Sequence, residues 1–115
     1  ATGRRLDHEL SNLHLLKLCL DCQVEAYLYD EYNKAYLLSH GRTFRKEEMF
    51  GTYISFIPLT EKVKGITLKG FKYPLNRKNI LIGVEAGLCV SNELADTEAS
   101  IEFENGILIC VESRD

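Results

Sequence analysis

Tryptophan is absent from this 115-residue sequence, and methionine occurs once, as Met49 rather than at the first position. No run of apolar residues approaches the roughly 18 that would cross a membrane as a helix. The N-terminus also lacks a basic segment followed by an apolar stretch, so no signal peptide is visible. We therefore expect no membrane partner and a cytoplasmic location. The missing initial Met indicates a fragment, a processed chain or a sequence from which residues have been removed.

A surplus of basic residues is lacking too, because 14 Lys and Arg face 17 Asp and Glu, for a formal net charge of -3. Nucleic-acid binding needs Lys and Arg clustered against phosphates. The balance argues against an oligonucleotide-binding barrel built on Tyr53, Phe56 and Tyr73, and we expect no nucleic-acid partner.

Cysteine is too scarce for a disulfide scaffold, with four residues in the whole chain. Cys19 and Cys22 form a C-x-x-C pair, but Cys89 and Cys110 stand far apart and supply no second pair for a zinc site. The pair lies at the C-terminal end of a predicted helix. A reactive redox pair usually lies at the N-terminal end of a helix, where the helix dipole lowers the thiol pKa. The cysteines are therefore predicted to be buried, inert thiols.

Hydrophobic residues make up 45% of the chain, which is enough to form the core of one compact unit. Leucines recurring every three or four residues predict a helix over 6–20. Short strands are predicted over 24–29, where apolar and polar residues alternate, and over 35–38. A polar segment over 41–51 follows, which is predicted to be a loop or linker with at most one short strand.

After residue 51 the pattern is that of β-structure throughout. Pro58 ends one predicted strand, Gly70 permits a bend, and residues 76–79 are predicted to form a turn. Asn105-Gly106 predicts a hairpin, because both residues tolerate the positive φ of a type I′ turn. The predicted strands indicate an antiparallel sandwich or barrel. They cover 53–57, 66–69, 80–82, 99–104 and 107–111.

A glycine turn leads into the predicted helix, and it carries Arg4 and Arg5 just before Asp7. Exposed backbone N–H groups and two guanidinium groups suit a phosphate, and a carboxylate there could hold Mg²⁺. The alternative is that Asp7 favours the helix dipole and the arginines are solvated.

Two further segments carry side chains suited to a flat heteroaromatic ligand. Tyr73 follows the Gly70 bend, and its ring could stack on a flat heteroaromatic or cationic ligand, or pack on a sheet. Ser91, Asn92 and Glu93 could hydrogen-bond an amide-like or aminopyrimidine edge, or they could form the turn that ends a strand.

Four segments in this order resemble thiamine pyrophosphokinases, which transfer pyrophosphate from ATP to thiamine. The segments are 3–8, 56–59 together with 65–75, 90–93 and 113–115. The resemblance implies a two-domain enzyme that works as a homodimer with active sites between subunits. The implied fold class is mainly β: an antiparallel β-sandwich, preceded by a helix and short strands left from an α/β catalytic domain.

The resemblance also implies roles for individual residues. Asp7 would hold Mg²⁺ near the pyrophosphate of ATP, with Arg5 beside it. Tyr73, supplied from the partner subunit, would stack on thiamine, and Ser91 and Asn92 would contact the pyrimidine. These groups position the reactants and neutralise charge rather than form a covalent intermediate.

From this resemblance we expect residues 1–42 to be the end of the ATP-binding domain and residues 43–115 to be the thiamine-binding domain. The chain alone would then bind thiamine weakly or not at all and would not turn over. The alternative is a non-catalytic β-sandwich that serves as a ligand-binding or interaction module.

Overall fold

The computed structural model describes residues 6–82 and 89–115, which form one α-helix and two antiparallel β-sheets. This confirms the predicted mainly-β sandwich. In chain order the elements are α1 (Leu6–Asp21), β1 (Leu28–Tyr29), β2 (Asn33–Leu38), β3 (Arg42–Arg45), a 3₁₀ helix (Lys46–Glu48), β4 (Tyr53–Pro58), β5 (Lys62–Lys69), β6 (Leu75–Leu81), β7 (Glu98–Glu102) and β8 (Leu108–Ser113).

Each sheet has four strands whose neighbours run antiparallel. The first sheet has the order β1-β2-β8-β4, and the second has the order β3-β7-β5-β6. In the first sheet Cys110 of β8 lies between Tyr36 of β2 and Phe56 of β4. The N-terminal strands β1 and β2 therefore share a sheet with strands from beyond residue 43, and the predicted domain division at residue 42 stays a prediction.

The hydrophobic core lies between the two sheets, because alternate residues of strands such as β4, β7 and β8 face inward. On β8, for example, Leu108, Cys110 and Glu112 are buried. Three phenylalanines join the sheets, with ring centroids 5.8 to 6.3 Å apart. They are Phe44 of β3, Phe56 of β4 and Phe71, which follows β5.

The helix predicted over 6–20 is confirmed as α1, which packs against β2. It ends with Gln23 in the left-handed conformation, at φ 60°, and the Val24 N–H bonds the Cys19 carbonyl at 2.8 Å. Leu16 is buried, but three other leucines of the helix remain more than half exposed: Leu10, Leu15 and Leu18. No helix among the described residues is long and apolar enough to cross a membrane.

The predicted hairpin at Asn105-Gly106 is wrong. The turn forms, with Gly106 at φ 109°, but β7 pairs with β3 and β5 in the second sheet, whereas β8 pairs with β2 and β4 in the first. Asn105 instead forms an isolated bridge with Lys64 of β5. The reversal thus carries the chain from one sheet to the other.

The predicted turn over 76–79 is also wrong, because these residues belong to β6, at the edge of the second sheet. All four residues are exposed, as an edge strand allows. The β5–β6 register shifts twice, and Arg77 takes a φ of 50°. Residues 76–79 were predicted to be a turn because an irregular, exposed edge strand and a turn have the same polar composition. The strand predicted over 24–29 is shorter in the structure, where it covers only Leu28–Tyr29.

The cysteine prediction holds for two of the four residues. Burial raises the pKa of the Cys89 thiol to about 11 and that of the Cys110 thiol to about 12, so both stay protonated at neutral pH. Cys19 is only partly buried and Cys22 is exposed, contrary to the prediction.

One buried carboxylate is held inside the sandwich. The Tyr36 hydroxyl donates to Glu112 Oε2 at 2.5 Å, and the Phe50 N–H donates to Glu112 Oε1 at 3.0 Å. Burial of the phenol, together with the neighbouring Cys110 and Glu112, raises the pKa of Tyr36, which therefore remains a hydrogen-bond donor. The pair ties β2 to β8.

Candidate functional site

The predicted ligand-contacting residues of the sandwich come together where two short segments run antiparallel. Phe71 bridges Leu94, and the Lys72 N–H bonds the Glu93 carbonyl at 2.7 Å. Gly70 starts this pairing at φ +80°, and a Cβ there would lie 2.4 Å from the Glu98 carbonyl oxygen. Only glycine fits this bend without strain.

The side chain of Asn92 fastens the Tyr73 peptide to this pair of segments. Asn92 Oδ1 accepts the Tyr73 N–H at 3.0 Å, and Asn92 Nδ2 donates to the Tyr73 carbonyl at 2.9 Å. Oδ1 also accepts the Glu93 N–H at 3.0 Å, and the residue is only 1% exposed. The Asn92 side-chain amide therefore forms hydrogen bonds with the backbone of Tyr73 and Glu93. Its predicted contact with a pyrimidine stays a prediction.

Asn92 also attaches the site to the first sheet. Its backbone N–H and carbonyl both bond Ile54 of β4, at 2.8 and 2.9 Å. The preceding Ser91 is exposed, with φ 57°, and its N–H donates to the Ser55 hydroxyl at 2.9 Å. A left-handed backbone is uncommon for a residue other than glycine. Here it is held by the bond from the Ser91 N–H to Ser55 and by the two bonds between Asn92 and Ile54.

The ring of Tyr73 is the exposed aromatic surface of the site, and 54% of the residue reaches solvent. The Lys72 ammonium lies 5.6 Å from the centre of this ring and 3.7 Å from Glu93 Oε2. The fixed Tyr73 backbone thus presents a ring beside one cation and one carboxylate.

This arrangement can bind a flat heteroaromatic ligand without first ordering its own backbone. Tyr73 offers a stacking surface, and Ser91 offers a hydroxyl that can donate and accept hydrogen bonds. A preorganised backbone lowers the entropic cost of binding.

The predicted phosphate-binding residues belong to another element. Arg5 lies outside the described residues. Asp7 is exposed in the first turn of α1, where its Oδ1 accepts the His8 N–H at 2.9 Å. The carboxylate therefore stands at the positive end of the helix dipole, where an acidic residue is stabilised.

Asp7 is compatible with a role as a Mg²⁺ ligand, because exposed carboxylate oxygens are the hard donors that this ion takes. The part of the chain that the structure describes holds no group of three or more metal-ligating side chains. Asp7 would supply one ligand, and Mg²⁺ ordinarily keeps several waters and binds substrate phosphates alongside one or two carboxylates.

A groove of about 760 Å³ runs between α1 and β2, away from the Tyr73 segment. Leu16, Tyr27, Tyr36 and Arg42 are among its lining residues. Of the predicted site residues that the structure describes, Asp7, Tyr73, Ser91 and Asn92, none lines it.

Ser55 and Lys72 were missed as site residues by sequence reasoning, whereas Glu93 was among the polar candidates together with Ser91 and Asn92. Ser55 stands between buried Ile54 and Phe56, so its side chain is predictably on the outer face of β4. Its partner Ser91, however, is 36 residues away, and no local pattern reports that pairing.

The comparison with protein families bears directly on this site. Residues 42–108 match the family described as thiamin pyrophosphokinase, vitamin B1 binding domain. The match covers more than half of the chain and includes Tyr73, Ser91 and Asn92.

The chain belongs to the thiamine pyrophosphokinase family.

Solved and curated proteins of this family agree with the match. The chain is 39% identical over 114 residues to thiamine pyrophosphokinase of Bacillus subtilis (strain 168). A crystal structure of the B. subtilis protein superposes with a TM-score of 0.89, and that of the thiamin pyrophosphokinase from Geobacillus thermodenitrificans, at 37% identity, superposes with 0.84. Both alignments cover 99 to 100% of this chain and 52% of the other.

A more distant structure supports the fold alone. The thiamin pyrophosphokinase from Candida albicans is 16% identical and has a TM-score of 0.78 over 98% of this chain and 42% of its own. The present chain thus spans about half the length of the thiamine pyrophosphokinases that it matches.

Proposed function

We propose that this chain is the thiamine-binding portion of a thiamine pyrophosphokinase, which transfers pyrophosphate from ATP to thiamine and yields thiamine diphosphate and AMP. The proposal is supported above all by the family match, because the matched residues include the preorganised Tyr73 segment. In this role Tyr73 stacks on thiamine, and Ser91 and Asn92 lie against the pyrimidine.

The transfer itself needs little covalent chemistry from the protein. The thiamine hydroxyl oxygen bonds to the β-phosphorus of ATP, the bond from that phosphorus to the AMP oxygen breaks, and the hydroxyl proton leaves to solvent. Arg5 and Asp7 are proposed to act at the phosphates, Arg5 through its positive charge and Asp7 as a Mg²⁺ ligand. Mg²⁺, when bound, neutralises phosphate charge.

The proposed enzyme is a cytoplasmic homodimer in which Tyr73 of one subunit completes the site of the other. The share of the relatives that this chain covers, 52%, is consistent with further enzyme residues elsewhere in the full-length protein. On this proposal the 115-residue chain alone binds thiamine weakly or not at all and has no activity.

Thiamine-dependent release of AMP from ATP tests the proposal. The full-length protein carrying this chain is expected to form equal amounts of AMP and thiamine diphosphate, whereas the 115-residue chain is expected to form neither. A full-length protein that binds thiamine without transfer would support the alternative, a non-catalytic ligand-binding module. Pyrophosphate transfer by the 115-residue chain alone would contradict the proposal that this chain has no activity without the rest of the protein.

A further inference from the structure

A cation lies beside the exposed ring of Tyr73, and a carboxylate is paired with that cation. Lys72 and Glu93 lie across from each other because their backbones are paired, with the Lys72 N–H bonded to the Glu93 carbonyl at 2.7 Å. Their side chains form an ion pair at 3.7 Å, and Lys72 Nζ stands 5.6 Å from the ring centre of Tyr73. The ring, the cation and the carboxylate therefore belong to one fixed piece of backbone.

A cation above an aromatic ring is attracted by the negative face of the ring. The ammonium group of Lys72 already lies over the ring face of Tyr73. Thiamine carries a permanent positive charge on its thiazolium ring. A thiamine molecule stacked on Tyr73 would meet repulsion from Lys72 and attraction from Glu93.

We infer that Lys72 and Glu93 are specificity-determining residues that set, in opposite directions, how strongly the Tyr73 site prefers a cationic ligand over a neutral one of the same shape. This inference rests on the proposed binding of thiamine at Tyr73. Lys72 lowers the preference for the cation, and Glu93 raises it.

The expected effect is modest, because both side chains reach solvent. Two unit charges about 6 Å apart in water interact by about 0.7 kcal/mol, which is about a threefold change in affinity. Screening by salt reduces the effect further.

The test compares thiamine with 3-deazathiamine, in which a neutral thiophene ring replaces the thiazolium ring. Dissociation constants are measured by calorimetry at low salt on the full-length protein and its Lys72→Met and Glu93→Gln variants. Lys72→Met is expected to tighten thiamine binding about threefold, and Glu93→Gln is expected to weaken it by a similar factor. Neither variant is expected to change binding of the neutral analogue.

Two control variants separate the local charge from general effects. Lys72→Arg keeps the cation and is expected to behave as the wild type. Lys17→Met breaks a comparable exposed ion pair, with Asp21 on α1, and is also expected to leave both ligands unaffected.

An unchanged or weaker thiamine affinity in Lys72→Met, or equal changes for both ligands, would overturn the inference while leaving thiamine binding intact. A wild-type protein that binds neither ligand would instead overturn the proposed function, and the inference with it.

Discussion

Asn92 uses one side-chain amide to hold both the N–H and the carbonyl of Tyr73, and a third bond holds Glu93. An amide can make such a two-way contact with a peptide because it carries both a donor and an acceptor. At the scale of single residues, this is the contact that gives the exposed Tyr73 ring a defined place.

Asn92→Ala should therefore lower the free energy of unfolding by roughly 1–3 kcal/mol, since partly buried backbone groups lose their partners. Urea unfolding of the 115-residue chain followed by circular dichroism measures this, which suits a chain without Trp. Ser91→Ala is the control, because the exposed Ser91 side chain takes no part in the Ser55 bond, and its stability should match that of the wild type. Equal stability of Asn92→Ala and wild type would contradict the assignment.

At the scale of elements, the strands are joined by polar as well as apolar contacts. The bond between Tyr36 of β2 and the buried Glu112 of β8 lies within the sandwich, and the carboxylate has a second bond from the Phe50 N–H. A buried carboxylate that loses one of its donors is left undersolvated.

Tyr36→Phe removes this donor while keeping the ring, so it should cost roughly 1–3 kcal/mol of unfolding free energy. The same urea experiment measures it. Tyr32→Phe makes the same change of atoms on a half-exposed residue and should have little effect. Full stability of Tyr36→Phe would show that water or another group replaces the lost bond.

The elements themselves were largely predictable, whereas their partners were not. Leucine spacing predicted α1, and alternation over 99–104 predicted β7, because those signals are local. Asn105-Gly106 correctly predicted a reversal, but turn chemistry says nothing about which strands pair beyond it. Likewise, the polar composition of 76–79 predicts a turn and an exposed edge strand equally well.

The same distinction applies to the site. Residue types indicated Tyr73, Ser91 and Asn92 as polar or aromatic candidates near strand ends. The pairing of the Tyr73 segment with the Asn92 segment joins residues 19 apart, and no spacing rule predicts such a contact. The hydrogen bonds from the Asn92 side chain to the Tyr73 backbone are therefore visible only in the folded structure.

At the scale of the whole molecule, α1 carries both Asp7 and a set of half-exposed leucines, on a chain that spans about half the length of its relatives. In the full-length protein, Asp7→Asn should abolish Mg²⁺-dependent pyrophosphate transfer while leaving the circular dichroism spectrum unchanged. The substitution removes the charge of an exposed side chain and little packing. Asp21→Asn, at the other end of α1, is the matched control and should transfer at the wild-type rate. Wild-type transfer by Asp7→Asn would remove this residue from the site.

The central claim, that Tyr73 is where this family member binds thiamine, is tested most directly by calorimetric titration of thiamine into the full-length protein and two variants. Stacking on an aromatic ring contributes about 0.5–1.5 kcal/mol beyond burial of area, so Tyr73→Ala should weaken binding at least severalfold, whereas Tyr73→Phe should bind nearly as the wild type does. Both variants should keep wild-type stability, because the ring is more than half exposed. Equal thiamine affinity in the wild type and Tyr73→Ala would contradict the account.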